Sequence, residues 1–222
     1  MDGKRLIEKI RLRNILSFGD KGEEIELEPL NIIIGQNASG KSNLVDVIKL
    51  LRSLPEDKGL VNFISKNGGI SEWIWKGKKT NRISEVKLIC SPFLNKIDLA
   101  APYNQEYSYQ MEFAEQNQRI FIRGEKISTK SILDNNLDEV QLFNREEMIW
   151  KGNSNLSKEI SEEETSILSA TRYSQSSDDV HYAFAFIEDR LSTFTVFSEL
   201  QTNRSATIRK PQIPDAPNSF LE

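Results

Sequence analysis

One cysteine, Cys90, and one histidine, His181, stand among 222 residues, and each scarcity removes a class of chemistry. A single thiol closes no internal disulfide. Cys90 alternates with Val86 and Leu88 as on one strand face, which predicts a buried structural thiol rather than a nucleophile. His181 falls in a helical pattern without Cys or His at metal-ligand spacing, which argues against a zinc centre or a histidine-based catalytic site. No apolar run is long enough to cross a bilayer, and the N-terminus carries no signal-peptide pattern. A cytoplasmic protein with no membrane partner is expected. Excess positive charge is missing too: 29 Lys+Arg against 33 Asp+Glu give a net charge of −4. That balance argues against gripping nucleic acid through the overall field, although a local basic patch stays open. The length suits one large domain or two small ones with a proper core.

What is present is organised around Gly35-Gln36-Asn37-Ala38-Ser39-Gly40-Lys41-Ser42, which fits G-x-x-x-x-G-K-[ST] without a mismatch. Gly35 and Gly40 let the backbone fold back, so that successive amides converge on the α and β phosphates of a nucleotide. Lys41 adds a point charge at the β and γ phosphates, and the Ser42 hydroxyl is placed to hold Mg²⁺. The flanks agree with the motif. Leu30-Asn31-Ile32-Ile33-Ile34 is an apolar, β-branched run that predicts a buried parallel strand. After the loop, Leu44, Val45, Ile48 and Leu51 fall on one face at helical spacing, and Pro55 ends the segment. The phosphates would therefore meet a helix N-terminus, where free amides and the dipole favour an anion.

Along the chain, Arg5 to Arg13 alternates as a half-wet strand, Asn14 to Gly19 reads as a loop, and Glu23 to Leu27 alternates again. Leu60 to Ile64 predicts a short second helix stopped by Asn67-Gly68-Gly69. Trp73-Ile74-Trp75-Lys76-Gly77-Lys78-Lys79 could contact nucleic acid, but indoles packed under a loop with solvated lysines is the favoured reading. From residue 85 short strands recur. Val86, Leu88 and Cys90 alternate, as do Tyr107, Tyr109, Met111 and Phe113; Arg119 to Ile122 comes next. Val140 to Phe143 and Met148 to Trp150 flank a turn as a hairpin. The Tyr/Met/Phe stripe is taken as core rather than ligand face. Glu162 to Ser169 is a helical turn. Asp178 to Leu191 is a helix burying Val180, Ala183, Phe184, Ile187 and Leu191, with Ser177 or Asp178 as N-cap. Phe194 to Phe197 predicts a strand, and the tail with Pro211, Pro214 and Pro217 a loop. The expected division is 1–84 for the N-terminal strands and phosphate-loop unit, 85–152 for an inserted antiparallel β lobe, and 153–222 for a helical region and C-terminal loop.

The strand entering Asn14-Ile15-Leu16-Ser17-Phe18, the phosphate loop fed by the third strand with Asn37 inside it, and the helix start Ser42-Asn43-Leu44 resemble the N-terminal half of RecF/SMC-type ABC ATPase heads, nearest to bacterial "AAA family" ATPases of repair and phage defence. The resemblance spans the chain, but its specific part lies in about the first 50 residues. It implies an α/β P-loop NTPase fold of ABC-head type and ATP with Mg²⁺ as ligands. It also implies ATP-driven dimerisation of heads and DNA or an effector protein as partner. It places Asn37 near the γ phosphate and Asn14 and Ser17 near the nucleotide base.

The rest of the family's machinery is not found. A Walker B strand ends in Asp-Glu, the Asp ordering the Mg²⁺ shell and the Glu polarising water. The nearest string, Phe184 to Asp189, has its acids reversed in a helical pattern. No Leu-Ser-Gly-Gly-type signature is present, and Gln175 is the least poor candidate for the metal-sensing glutamine. The expectation is an incomplete ATPase domain whose signature and catalytic carboxylates come from a missing half or a partner chain, with little hydrolysis by this chain alone. Two other readings compete. A small P-loop kinase needs an arginine-rich lid, for which Arg190 and Arg204 are scattered candidates. A non-catalytic scaffold would keep a vestigial loop.

Overall fold

Period-two alternation puts apolar side chains on one face of a strand, and here the strands of the first 30 residues and of residues 84–150 share that face in a single sheet. The computed structural model describes residues 7–36, 39–77, 83–90, 105–131, 138–147, 149–150, 165–170 and 179–195. Its strands are β1 (Lys9–Arg13), β2 (Glu23–Glu26), β3 (Ser84–Cys90), β4 (Gln105–Gln116), β5 (Arg119–Ser131), β6 (Val140–Asn144) and β7 (Ile149–Trp150). They form a seven-stranded sheet in the order β2-β1-β3-β4-β5-β6-β7, and each pairing is antiparallel. β1 lies directly against β3, with Ile10 opposite Leu88 and Leu12 opposite Val86. No break in the sheet falls at residues 84–85, because the core face of β1 is completed by that of β3.

The helices are α1 (Lys41–Ser53), α2 (Gly59–Lys66), α3 (Ile70–Trp73), α4 (Ile167–Ala170) and α5 (Asp179–Ser192). α1 packs on α2 and α5, and α5 also meets β4 and β5. One hydrophobic core holds Ile10, Leu12, Val86, Leu88, Tyr109, Met111 and Phe113 from the sheet with Leu51, Leu54, Phe184 and Ile187 from the helical layer. The expected stripes on β3, β4 and α5 are all buried. α2 closes as expected, with Gly68 and Gly69 at φ 94° and 80°. Phe194 and Thr195 are in coil; the rest of that expected strand, the α5 N-cap and the proline tail lie outside the described residues.

Two expectations are corrected. The buried apolar face of α1 is Leu44, Val47, Leu50 and Leu51: Leu44 and Leu51 are as expected, Ile48 is partly buried against the core, and Val47 and Leu50 rather than Val45 complete the face. The helix packs against both α2 and α5. The second correction concerns the run before the phosphate loop. Residues 31–36 belong to no strand, and Leu30, Ile32 and Ile34 are 79%, 80% and 87% exposed. A strand apolar on both faces needs cover on both. The strand before it in sequence, β2, is a glutamate-rich edge, Glu23-Glu24-Ile25-Glu26, with no such cover to give.

Cys90 is buried as expected, and burial pushes its thiol from an ordinary 9.0 up to about 12. A group whose folded pKa is raised contributes stability that is whole below its unfolded pKa and is lost as pH rises through the folded one. Between pH 9 and about 12 this site should therefore lose stability steadily as pH rises. Urea titrations across that window should show a shallower alkaline decline for Cys90→Ala than for the natural chain.

Candidate nucleotide site

The site is built where the chain leaves the exposed run and enters α1. Gly40 is the N-cap of α1, at φ 87°, with no side-chain cap and no acidic residue in the first turn. An L side chain is strained at that angle, which calls for glycine; a Cβ on Gly40 would also stand 2.8 Å from Ser17 Oγ, a contact the serine side chain can turn away from. The first amides of a 13-residue helix are thereby left without a side-chain acceptor, the arrangement that suits an anion.

Lys41 folds back over the loop. Its Nζ donates to the carbonyl oxygens of Gly35 at 2.7 Å and Gln36 at 2.5 Å and to Ser39 Oγ at 3.1 Å. An ammonium has three protons to donate, and all three are used. The loop is thus drawn in around its own lysine, and Gly35 shares the crowding, since a Cβ there would meet Ser39 Oγ at 2.9 Å. Ser42 is exposed, and its hydroxyl has no hydrogen-bond partner among the described residues. Asn43 lies in the first turn of α1, while Asn37 and Ala38 lie outside the described residues.

The loop after β1 reaches the same place. Ser17 is exposed, and its Oγ would lie 2.8 Å from a Cβ placed on Gly40. Asn14 behaves differently: it is 2% exposed, its Nδ2 donates to the carbonyl of Ile83 at 3.0 Å, and its own carbonyl accepts from Ser84 Oγ and the Trp75 amide. Asn14 holds the loop in position rather than facing the site. Asn14 and Leu16 both adopt left-handed backbone, at φ 54° and 50°.

Sequence reasoning grouped the two indoles together, and the structure separates them. Trp73 is buried, edge-on to Phe63 at 5.6 Å, with its Nε1 donating to the Asn67 carbonyl at 3.1 Å. Trp75 is half-buried against Gly19 and Gly77, whose Cβ positions would fall 3.3 and 2.0 Å from its ring. Glycines on both sides of an indole, at Gly19 and Gly77, are the signal that a reading limited to one stretch passes over.

The remaining candidates are dispersed. Phe184 to Asp189 lies within α5, as a helix and not a Walker B strand. Arg190 is buried, with its guanidinium 4.5 Å from the Phe186 ring centroid, which removes it from any lid. Gln175 and Arg204 lie outside the described residues, and no group of acidic, His or Cys side chains that could hold a metal ion occurs among the described ones. No helix among them is long and apolar enough to cross a membrane.

The uncapped helix start, the glycine at its N-cap, the loop lysine and the Ser42 hydroxyl are the arrangement of a P-loop, whose residues fit a nucleotide's phosphates with Mg²⁺. The family model described as "AAA domain, putative AbiEii toxin, Type IV TA system" matches residues 30–171. The chain belongs to that AAA domain family. No curated protein matches it significantly. Among solved structures, one similar chain comes from work on ATP-driven dimerization and DNA-stimulated activation of SMC ATPases. It is 20% identical with a TM-score of 0.38 over 56% of this chain and 69% of its own. Another is an SMC head bound to the C-winged helix domain of ScpA, 22% identical with a TM-score of 0.37 over 56% of this chain and 36% of its own.

Proposed function

We propose that this chain is the ATP-binding lobe of a RecF/SMC-like ATPase whose heads dimerise around ATP. The single observation that carries the reading is the loop from Gly35 to Ser42 closing on Lys41 at the bare N-terminus of α1. The amides of Gly40 to Asn43 receive the phosphates, Lys41 exchanges its three loop acceptors for phosphate oxygens, and Ser42 holds Mg²⁺, which when bound neutralises charge between the β and γ phosphates.

Water activation needs a carboxylate, and the described residues bring none to this loop as an Asp-Glu pair. The exposed apolar run Leu30–Ile34 supports a lobe that is completed by further strands, from a longer chain or a partner, carrying the Walker B acids and the signature. Its main-chain groups and both its faces are open to such strands. The N-terminal resemblance suggests a role in phage defence or DNA repair, and the family's description names a putative toxin of a type IV toxin–antitoxin system. The wet face of the sheet does not favour DNA contact, because Lys9 pairs with Glu26 at 3.0 Å and Arg13 with Glu85 at 2.5 Å.

Calorimetry with Mg²⁺-ATP alongside phosphate release tests the reading. The natural chain should bind ATP and release almost no phosphate, and Lys41→Ala should bind about 10–100-fold more weakly, the worth of a charged hydrogen bond. Unchanged affinity in Lys41→Ala would sink the assignment. Turnover that depends on a small acceptor would mean a kinase instead.

A further inference from the structure

The chain holds a single Asn-Gly step, Asn67-Gly68, and it falls where α2 ends, with both residues exposed. After every other asparagine a side chain screens the next amide; here there is none. The amides on either side of Gly68 are engaged. That of Asn67 donates to the carbonyls of Phe63 and Ile64, each at 3.1 Å, and that of Gly69 to the carbonyl of Ile64 at 2.9 Å. The Gly68 amide itself, in left-handed backbone at φ 94°, has no acceptor among the described residues. The Asn67 side chain is tied at one point, where Nδ2 donates to the Phe63 carbonyl at 2.8 Å.

We propose that Asn67 is a site of spontaneous deamidation in the folded chain, through the amide of Gly68. The Gly68 nitrogen gives its proton to a solvent base and bonds to Asn67 Cγ. The Cγ–Nδ2 bond breaks, and Nδ2 leaves as ammonia with a proton from water, closing a five-membered imide. Water then adds to one of the two imide carbonyls. Cleavage on the Cγ side gives aspartate, and cleavage on the main-chain side gives isoaspartate. Water is the one co-reactant, and no atom is oxidised or reduced. Turning the carboxamide from Phe63 toward Gly68 gives up one exposed hydrogen bond, while the Phe63 carbonyl keeps the Asn67 amide. The fold should therefore slow the reaction by no more than about tenfold.

The position gives the modification a structural consequence. Trp73 Nε1 donates to the main-chain carbonyl of Asn67 at 3.1 Å, and the Trp73 carbonyl accepts from the Leu16 amide at 2.7 Å. Isoaspartate routes the chain through Cβ and Cγ, adding a methylene before Gly68, and turns the carbonyl that serves Trp73 into a free carboxylate. That charge stands at the C-terminal end of α2, where the helix dipole disfavours an anion. The corner between α2 and α3 is loosened, and with it the indole seated against Phe63.

The test incubates the full chain, folded and in urea, in warm, mildly alkaline buffer, followed by digestion and mass analysis. The peptide holding residues 67 and 68 should gain one mass unit and separate into aspartate and isoaspartate forms, at a rate within about tenfold of the urea sample. Asn67→Gln, whose ring would need six members, should show no gain. Modification in urea but not in the folded chain, or gain in the folded chain at other asparagines instead, overturns the proposal. Asn67→Asp adds the charge without the methylene, so the aged chain should melt below it. Equal melting temperatures would overturn the link to Trp73. None of these outcomes depends on what the phosphate loop binds.

Discussion

Glu125→Ala should lower the unfolding free energy by about 3–5 kcal/mol, the usual cost of removing one partner of a buried ion pair. Glu125 is fully buried on β5. Its carboxylate accepts from Tyr109 Oη and Ser166 Oγ, each at 2.6 Å, and from the Ile167 amide and Arg145 Nη2, each at 2.9 Å. Four donors fill about the four lone-pair sites that a carboxylate offers. Burial, and then the charge of Glu125, push the Tyr109 phenol well above its ordinary range, so it stays a donor. Arg145 Nη2 also reaches the Thr165 carbonyl at 2.7 Å. The cluster therefore fastens the α4 segment to the sheet through Thr165, Ser166 and Ile167.

Alanine at 125 would leave a buried guanidinium beside an apolar gap and strand a phenol, a hydroxyl and an amide. Glutamine would not rescue it, because its amide nitrogen donates where two donors already point. Urea denaturation gives the measurement, with Glu146→Ala as control. Glu146 pairs with Arg123 at 3.7 Å in partly exposed surroundings, and its loss should stay within about 0.5 kcal/mol. A loss below about 1 kcal/mol at Glu125 would mean that water or a rearranged Arg145 replaces the carboxylate.

Glu125 also shows why part of the molecule was not legible in the sequence. Along β5 the buried residues are Ile120, Ile122 and Gly124, and then Glu125, Ile127 and Thr129, so the even phase gives way to the odd. Phe113 lies opposite Ile122 and Glu112 opposite Gly124, leaving Arg123 as the extra residue of a bulge. A bulge re-aims the strand by one position, and a reading by alternation stops at Ile122, where the alternation stops. The second half of the strand, Lys126 to Ser131, has a polar sequence, and the inward-facing glutamate is invisible without its partners.

The local motifs were the legible part. The phosphate loop, the stop after α2, the β6–β7 hairpin and the buried face of α5 each depend on residues within a few positions of one another. The joining of β1 to β3 spans some 75 residues, and no local pattern encodes it. Leu30–Ile34 is the converse case. Its composition describes a strand buried on both faces, while the 222 residues here leave it exposed, because a strand is made by its neighbours and the composition speaks only of what those neighbours must be.

Gly40→Ala should remove the response of this fold to nucleotide while leaving most of the fold standing. Two effects act at the position and they can be separated. The methyl group would stand 2.8 Å from Ser17 Oγ, a clash that a turn of the serine side chain can relieve. The backbone at φ 87° cannot be relieved in that way, and an L residue held there costs about 1–3 kcal/mol. The loop would instead relax toward negative φ, swinging the first amides of α1 away from one another and from Lys41. In the natural chain a ligand at 100 times its dissociation constant adds about 2.7 kcal/mol of stability, a rise in melting temperature of roughly 5–10 °C for a domain of this size. Gly40→Ala should show a rise near zero. The double variant Ser17→Ala with Gly40→Ala should show no recovery, because the backbone angle and not the serine sets the loss. Recovery in the double variant would place the whole effect in the contact with Ser17. The left-handed N-cap would then be incidental to holding phosphate.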